Sequence, residues 1–165
     1  MAALPAEYKR DLRRLDHVTE QDVQLACHRL WGTGDRWSPP RRVAAMICTI
    51  AFTRLTLEET LTLTLDDVPT LLLPPLGWDA LDRWLTHRRR WTCHWLPEAP
   101  LFCTLKNGKP RNRRVVLDEV VRAFRWLGVL VTPRTLKWSE ASHGLKACPE
   151  TLRRRLEPRS LSQSV

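Results

Sequence analysis

Residues 53–68 read TRLTLEETLTLTLDDV, and the physics of that stretch organises the chain around it. Thr56 followed three residues later by Glu59 has the form of a capping box, in which a hydroxyl and a carboxylate satisfy the free backbone N–H groups at a helix start. A short helix is therefore expected from Thr56 through Leu63. Upstream, residues 43–52 are apolar almost all round, which predicts a helix enclosed on every side. Downstream, Pro69, Pro74 and Pro75 predict an extended connection, because proline fixes φ and restricts the residue before it. A second stretch, residues 131–145, reads VTPRTLKWSEASHGL. Thr132 is placed to cap a helix there and Pro133 to begin it. On that helix Arg134 and Lys137 share a face with Ala141 and Leu145, whereas His143 falls on the opposite side.

Together the two stretches resemble the boxes of the tyrosine recombinase (phage integrase) family. The family's first box reads roughly TGLRxSELLxLxxxDI, and Thr53, Leu55, Glu59, Leu61, Leu63, Asp67 and Val68 match its frame. The second reads TPHDLRHTFATHLL, matched by Thr132, Pro133, Leu136, Ala141, His143 and Leu145. The resemblance extends over residues 19–157 and implies a mainly α fold, a helical bundle like the recombinase catalytic domain.

The departures from the boxes bear on chemistry. In the family, the first-box Arg and the His and Arg of the second box converge on the scissile phosphate. Here Thr56 occupies the first of those positions, and Arg54 stands two residues early, where the family has Gly. Arg134 and Lys137 replace the His and the Arg. Active members attack with a tyrosine beyond the second box, forming a covalent intermediate. The only tyrosine of these 165 residues is Tyr8, ahead of both boxes. A β-hairpin carrying a catalytic Lys follows the acidic pair in active relatives. Asp66, Asp67 and Val68 instead run almost at once into residues 71–76 and a helix, so a reduced or missing hairpin is expected. The resemblance thus implies a protein without strand cleavage and without a catalytic residue, whose remaining cations hold a phosphate without attacking it.

Composition bounds the same conclusion. A length of 165 residues suits one domain with its own core. Boundaries are expected at 1–17 for a basic N-terminal arm or helix, 18–158 for the recombinase-like domain and 159–165 for a disordered tail. No apolar run approaches the roughly 20 residues of a membrane span. The early charges of the N-terminus do not fit a secretory signal, so a cytoplasmic protein is expected. The five cysteines have no paired spacing, which suits reduced, buried thiols better than disulfides. The adjacent pairs Cys27-His28 and Cys93-His94 point in divergent directions and make poor metal ligands, so no metal and no cofactor are expected.

The net charge of +9 is unevenly placed. Residues 1–80 hold 9 Lys and Arg against 11 Asp and Glu, and residues 81–165 hold 18 against 7. Such asymmetry points to an anionic partner, with double-stranded DNA the foremost candidate. Candidate contacts are Arg134 and Lys137 of the second box and Arg54 of the first. Others are Lys106, Lys109, Arg111, Arg113 and Arg114 around the turn at 106–109, Arg88, Arg89 and Arg90 at a helix end, and Arg153 and Arg154 on a final helix begun by Pro149.

The remaining pattern is helical. Thr19 with Asp22 caps a helix whose stripe is Val23, Ala26 and Leu30, ending near Trp31, and Ser38 is a candidate cap for the next. Residues 5–16 read as a short basic helix, 77–91 and 113–127 as amphipathic helices, and 101–105 as a strand. Helical spacing assigns Trp78, Trp84 and Trp126 to the core. A helix-turn-helix formed by the 113–127 helix and its successor is a variant of the DNA-binding reading. The alternative function is a protein-interaction module, pairing with a second copy or an active recombinase through apolar surface such as residues 71–76 or the Trp-rich region.

Overall fold

Thirteen of the fourteen residues of α2 (Pro40–Thr53) are buried, which makes the helix anticipated from residues 43–52 the axis of the molecule. In this computed structural model residues 13–15, 17–33, 40–91 and 95–137 are described. Around α2 pack α1 (Glu20–Trp31), α3 (Leu57–Thr62), α4 (Pro75–Trp91), α5 (Arg113–Arg125) and α6 (Pro133–Lys137), each touching it. The most extensive of these interfaces is with α4. There Gly77 lets the two helices close up: a Cβ at that position would lie 3.2 Å from Phe52 Cδ2 and 3.0 Å from Leu73 Cβ. Phe52, Trp84, Phe102 and Phe124 fill the core, each fully enclosed, and burial of side chains this large contributes roughly 1.5–3 kcal/mol apiece. No helix among the described residues is long and apolar enough to cross a membrane.

The helix starts follow their sequence signals. Thr19 Oγ1 accepts from the Asp22 backbone N–H at 3.2 Å, and the Asp22 carboxylate accepts from the Thr19 N–H at 2.9 Å. Thr56 Oγ1 accepts from the Glu59 N–H at 3.1 Å and opens α3. Thr132 Oγ1 accepts from the Thr135 N–H at 3.3 Å at the head of α6. Asn112, which the pattern did not single out, caps α5 by accepting from the Arg114 N–H at 2.9 Å. The proposed Ser38 cap lies outside the described residues.

Several expectations are overturned. Residues 65–70 are not extended: they form a 3₁₀ helix that contains Pro69, closed by a Thr64–Asp67 capping box, and only 71–74 run extended before Pro75 begins α4. The helix expected through residue 16 gives way at Arg13–Arg14, a two-residue strand β1 paired in parallel with β2 (Val129–Leu130). Because β2 lies between α5 and α6, the connection is not a tight turn, and the helix-turn-helix variant is not formed.

The strand expected at 101–105 is absent as well. Carbonyls in and just before it are taken by side chains: Trp84 Nε1 donates to Leu101 O at 2.9 Å, Arg42 Nη1 to Cys103 O at 3.4 Å, and Arg88 Nη2 to Pro100 O at 3.1 Å. A ladder would need those acceptors. What remains of the β structure here is two isolated antiparallel bridges, Thr64 with Pro100 and Cys103 with Pro110, the second closed by a turn in which the Thr104 N–H donates to Lys109 O at 2.9 Å.

The tryptophans also divide differently. Trp84 is buried, but Trp78 and Trp126 are 39% and 42% exposed, outside the core that helical spacing assigned them. Arginines cover several indoles: Arg83 lies 4.1 Å over Trp31 and Arg29 lies 5.0 Å over Trp126. Cys27, Cys48 and Cys103 are free and buried. Cys27 and Cys48 sit Sγ to Sγ at 3.5 Å across α1 and α2, and the hydrogen bond with Cys27, together with burial, pushes the Cys48 thiol well above its ordinary value.

Candidate nucleic-acid interface

The first box folds as a sharp exit from the central helix. α2 ends at Thr53, Arg54 adopts φ +58°, Leu55 is buried, and Thr56 caps α3. The positive φ explains why the family places Gly where Arg54 stands, since this backbone region is costly for any residue with a Cβ. Thr56 has a complete structural role in the cap, which leaves its hydroxyl engaged with the helix start.

Thr56 and the second box then meet. Thr56, Leu57 and Glu58 from α3, Arg113 and Leu117 from α5, and Thr132, Pro133, Arg134 and Lys137 around α6 line one open groove of about 470 Å³. Its floor is apolar and its rim carries three cations and one acid. Arg113 Nε donates to Glu58 Oε1 at 2.5 Å across the groove. A hydrogen bond from its own backbone N–H and the Arg113 guanidinium, in that order, hold the Glu58 carboxyl below its ordinary value. Arg134 is exposed. Residues as far apart in sequence as Thr56 and Lys137 are thus brought to one place by the packing of α3, α5 and α6 against α2.

The remaining candidates divide. Lys106, Lys109 and Arg114 are exposed on the turn and at the start of α5 but do not line the groove, and neither does Arg54. Arg89 and Arg90 are exposed at the end of α4, with Arg89 lying 5.1 Å over Trp95. Arg88 is corrected: it is completely buried, donates to Pro100 O and lies 4.7 Å over the Trp95 ring, so it supports the 95–103 segment from inside and cannot reach a phosphate. Arg111, partly exposed, pairs its Nη2 with Glu119 at 3.0 Å and does not line the groove. Arg153, Arg154, Ala141, His143, Leu145 and Tyr8 lie outside the described residues.

Sequence reasoning passed over Glu58, Glu119 and Arg42. Arg42 is buried within α2 and meets Glu119 at 3.1 Å; burial pushes its guanidinium down to about 10 even though Glu119 opposes the shift. Glu58 had a signal, since it stands where the first box of the family has Ser. Nothing in the local pattern marks Arg42 and Glu119 as partners.

This arrangement of helices around a buried α2, with Thr56 and the head of α6 at one groove, is a recombinase-catalytic-domain-like helical fold. A solved structure carries the same architecture: the crystal structure of XerA recombinase matches with a TM-score of 0.58 at 13% identity, over 82% of this chain and 49% of that one. The chain therefore spans about half the length of that recombinase, and at such identity the likeness is one of fold. No family model matches the sequence, and no curated protein matches it.

Proposed function

We propose that the chain is a catalytically inactive, recombinase-like protein that binds double-stranded DNA and regulates transcription, recombination or the maintenance of a mobile element. The observation that carries this reading is the groove itself. Arg113, Arg134 and Lys137 gather where the second box meets Thr56, so cations remain where a phosphodiester would lie. Inactivity is supported at two positions of the boxes: Thr56 is committed to a helix cap where the first box has Arg, and Arg134 stands where the second has His. Phosphate contacts give affinity and register without sequence information, which suits a positively charged surface of this kind. The net charge of +9 and its concentration in residues 81–165 supply the long-range attraction.

The protein-interaction alternative loses one of its surfaces, because Leu71 and Leu73 are buried and Leu76 is packed against the core, leaving Leu72 as the exposed leucine of 71–76. The test is a mobility shift with unrelated duplexes at two salt concentrations, run beside incubation with supercoiled plasmid. Binding that falls steeply with salt, without nicking, is the expected result. Nicked plasmid would refute inactivity, and salt-insensitive or absent binding would refute the DNA reading.

A further inference from the structure

Glu58 is the one acid that lines the described groove, and its carboxylate already engages one of the groove's guanidinium groups. The first box that this stretch resembles has Ser at this point, so the carboxylate is a departure from that frame. Its side chain and that of Arg113 are 57% and 63% exposed, so neither desolvation nor packing requires the pair. An exposed pair of this kind adds little stability, typically 0–1 kcal/mol. Besides accepting from its own backbone N–H, the carboxylate occupies Arg113 Nε, a planar donor of the geometry that phosphate oxygens also use.

We infer that Glu58 acts as an internal competitor for the groove: its carboxylate sits on Arg113 in place of a nucleic-acid phosphodiester, and a phosphate must displace it to gain that contact. This inference rests on the DNA-binding reading and deepens it. With Glu58 present the lining side chains offer three cations against one anion, and without it three against none. Binding is accordingly held weaker and less salt-dependent than the cations alone would make it. A bound phosphodiester takes the Arg113 donor, and Glu58 swings to solvent from its place in the first turn of α3.

The test measures duplex binding by fluorescence anisotropy across a salt series for the wild-type chain, Glu58→Gln, Glu58→Ser, Arg134→Ala and the double variant Glu58→Gln/Arg113→Gln, each first shown folded by circular dichroism. Both Glu58 variants are expected to bind roughly three- to tenfold tighter, with a salt slope steeper by about one unit, as for one added phosphate contact. The double variant should lose that gain. Thermal stabilisation by inorganic phosphate should likewise be larger in Glu58→Gln than in the wild type. If the wild type binds duplex with steep salt dependence and Arg134→Ala weakens it, yet both Glu58 variants bind no tighter, this inference is overturned while DNA binding stands. If neither the wild type nor the Glu58 variants bind duplex at low salt, both fall.

Discussion

Arg42 on α2 and Glu119 on α5, 77 residues apart, meet at 3.1 Å with side-chain exposures of 2% and 11%. The same carboxylate oxygen receives Arg111 at 3.0 Å, and Arg42 also lies 5.9 Å over the Trp84 ring. One acid thus compensates an enclosed guanidinium and ties the exit of the 106–112 turn to the central helix.

Removing Glu119 should therefore be far more damaging than removing Arg111. Glu119→Ala leaves Arg42 charged inside the protein, a change that costs about 3–5 kcal/mol in buried pairs. At roughly 2–4 °C per kcal/mol for a chain of this size, the melting temperature should fall by on the order of 10 °C. Arg111→Ala, at a partly exposed position, should cost about 1 kcal/mol or less. Thermal melts of the two variants decide it, and similar losses for both would show that Glu119 does not hold Arg42 in the way described.

Arg54 offers a second, opposite expectation. At φ +58° a Cβ costs about 1–2 kcal/mol, whereas glycine does not feel the clash. Glycine gives back part of that gain through the entropy of the unfolded chain. Arg54→Gly should raise stability by about 0.5–1 kcal/mol, and Arg54→Val, β-branched and worse suited to this region, should lower it by about 1–2 kcal/mol. Urea denaturation of the pair measures both. Loss of stability in the glycine variant would mean that the Arg54 side chain matters more than its backbone.

Local chemistry made much of this fold legible. The caps at Thr19, Thr56 and Thr132 act between residues three apart, and the apolar run of α2 declares its own burial, so short-range patterns suffice. The frame of the two boxes also pairs Thr56 with Arg134 and Lys137, which line one groove. What sequence could not give was competition for hydrogen-bond acceptors. Residues 101–105 have a strand's composition, but Trp84, Arg88 and Arg42 take three carbonyls of 100–103 from another layer of the molecule. For the same reason Arg88 read as a surface cation when its partners lie on a loop 12 residues away. The Glu58–Arg113 contact, 55 residues apart, is equally a product of packing.

Thr56 should behave as a structural residue. Its hydroxyl holds the Glu59 N–H at 3.1 Å, and loss of such a cap costs about 1 kcal/mol. Thr56→Ala should lose that amount and Thr56→Ser should keep most of it. Thr56→Arg carries the same cap penalty but puts a guanidinium in the groove, so it should add about one unit to the salt slope of duplex binding. Paired denaturation and anisotropy series separate the two effects; a Thr56→Ala variant as stable as the wild type would remove the structural explanation for the lost Arg.

Glu58, held by its own backbone N–H and then by Arg113, carries a pH signature. Glu58 is held below its ordinary value, so the folded state binds its proton less readily than the unfolded state does. Its contribution to stability is therefore present above the unfolded carboxylate value of about 4.3 and is lost as pH falls through the lower folded value. Both side chains are more than half exposed, and screening keeps the effect to about 0.5 kcal/mol. Subtracting the stability curve of Glu58→Gln from that of the wild type between pH 6 and pH 2 isolates it. The difference should shrink toward acid; a difference that grows toward acid would contradict the sign.

The groove cations should separate cleanly from the buried ones in how they affect DNA. Arg134 and Lys137 stand on α6 with the groove before them, so Arg134→Ala and Lys137→Ala should each reduce the salt slope by about one unit and weaken binding about uniformly across duplex sequences. Their melting temperatures should change little, because surface substitutions rarely move stability by more than about 0.5 kcal/mol. Arg88→Ala should do the reverse. Its side chain is fully enclosed, donates to Pro100 O and supports Trp95, so the variant should be destabilised while the folded fraction keeps the wild-type slope. Salt series and melts on the same three proteins give the answer together. A slope change in Arg88→Ala, or none in Arg134→Ala, would place the phosphate path elsewhere on the molecule.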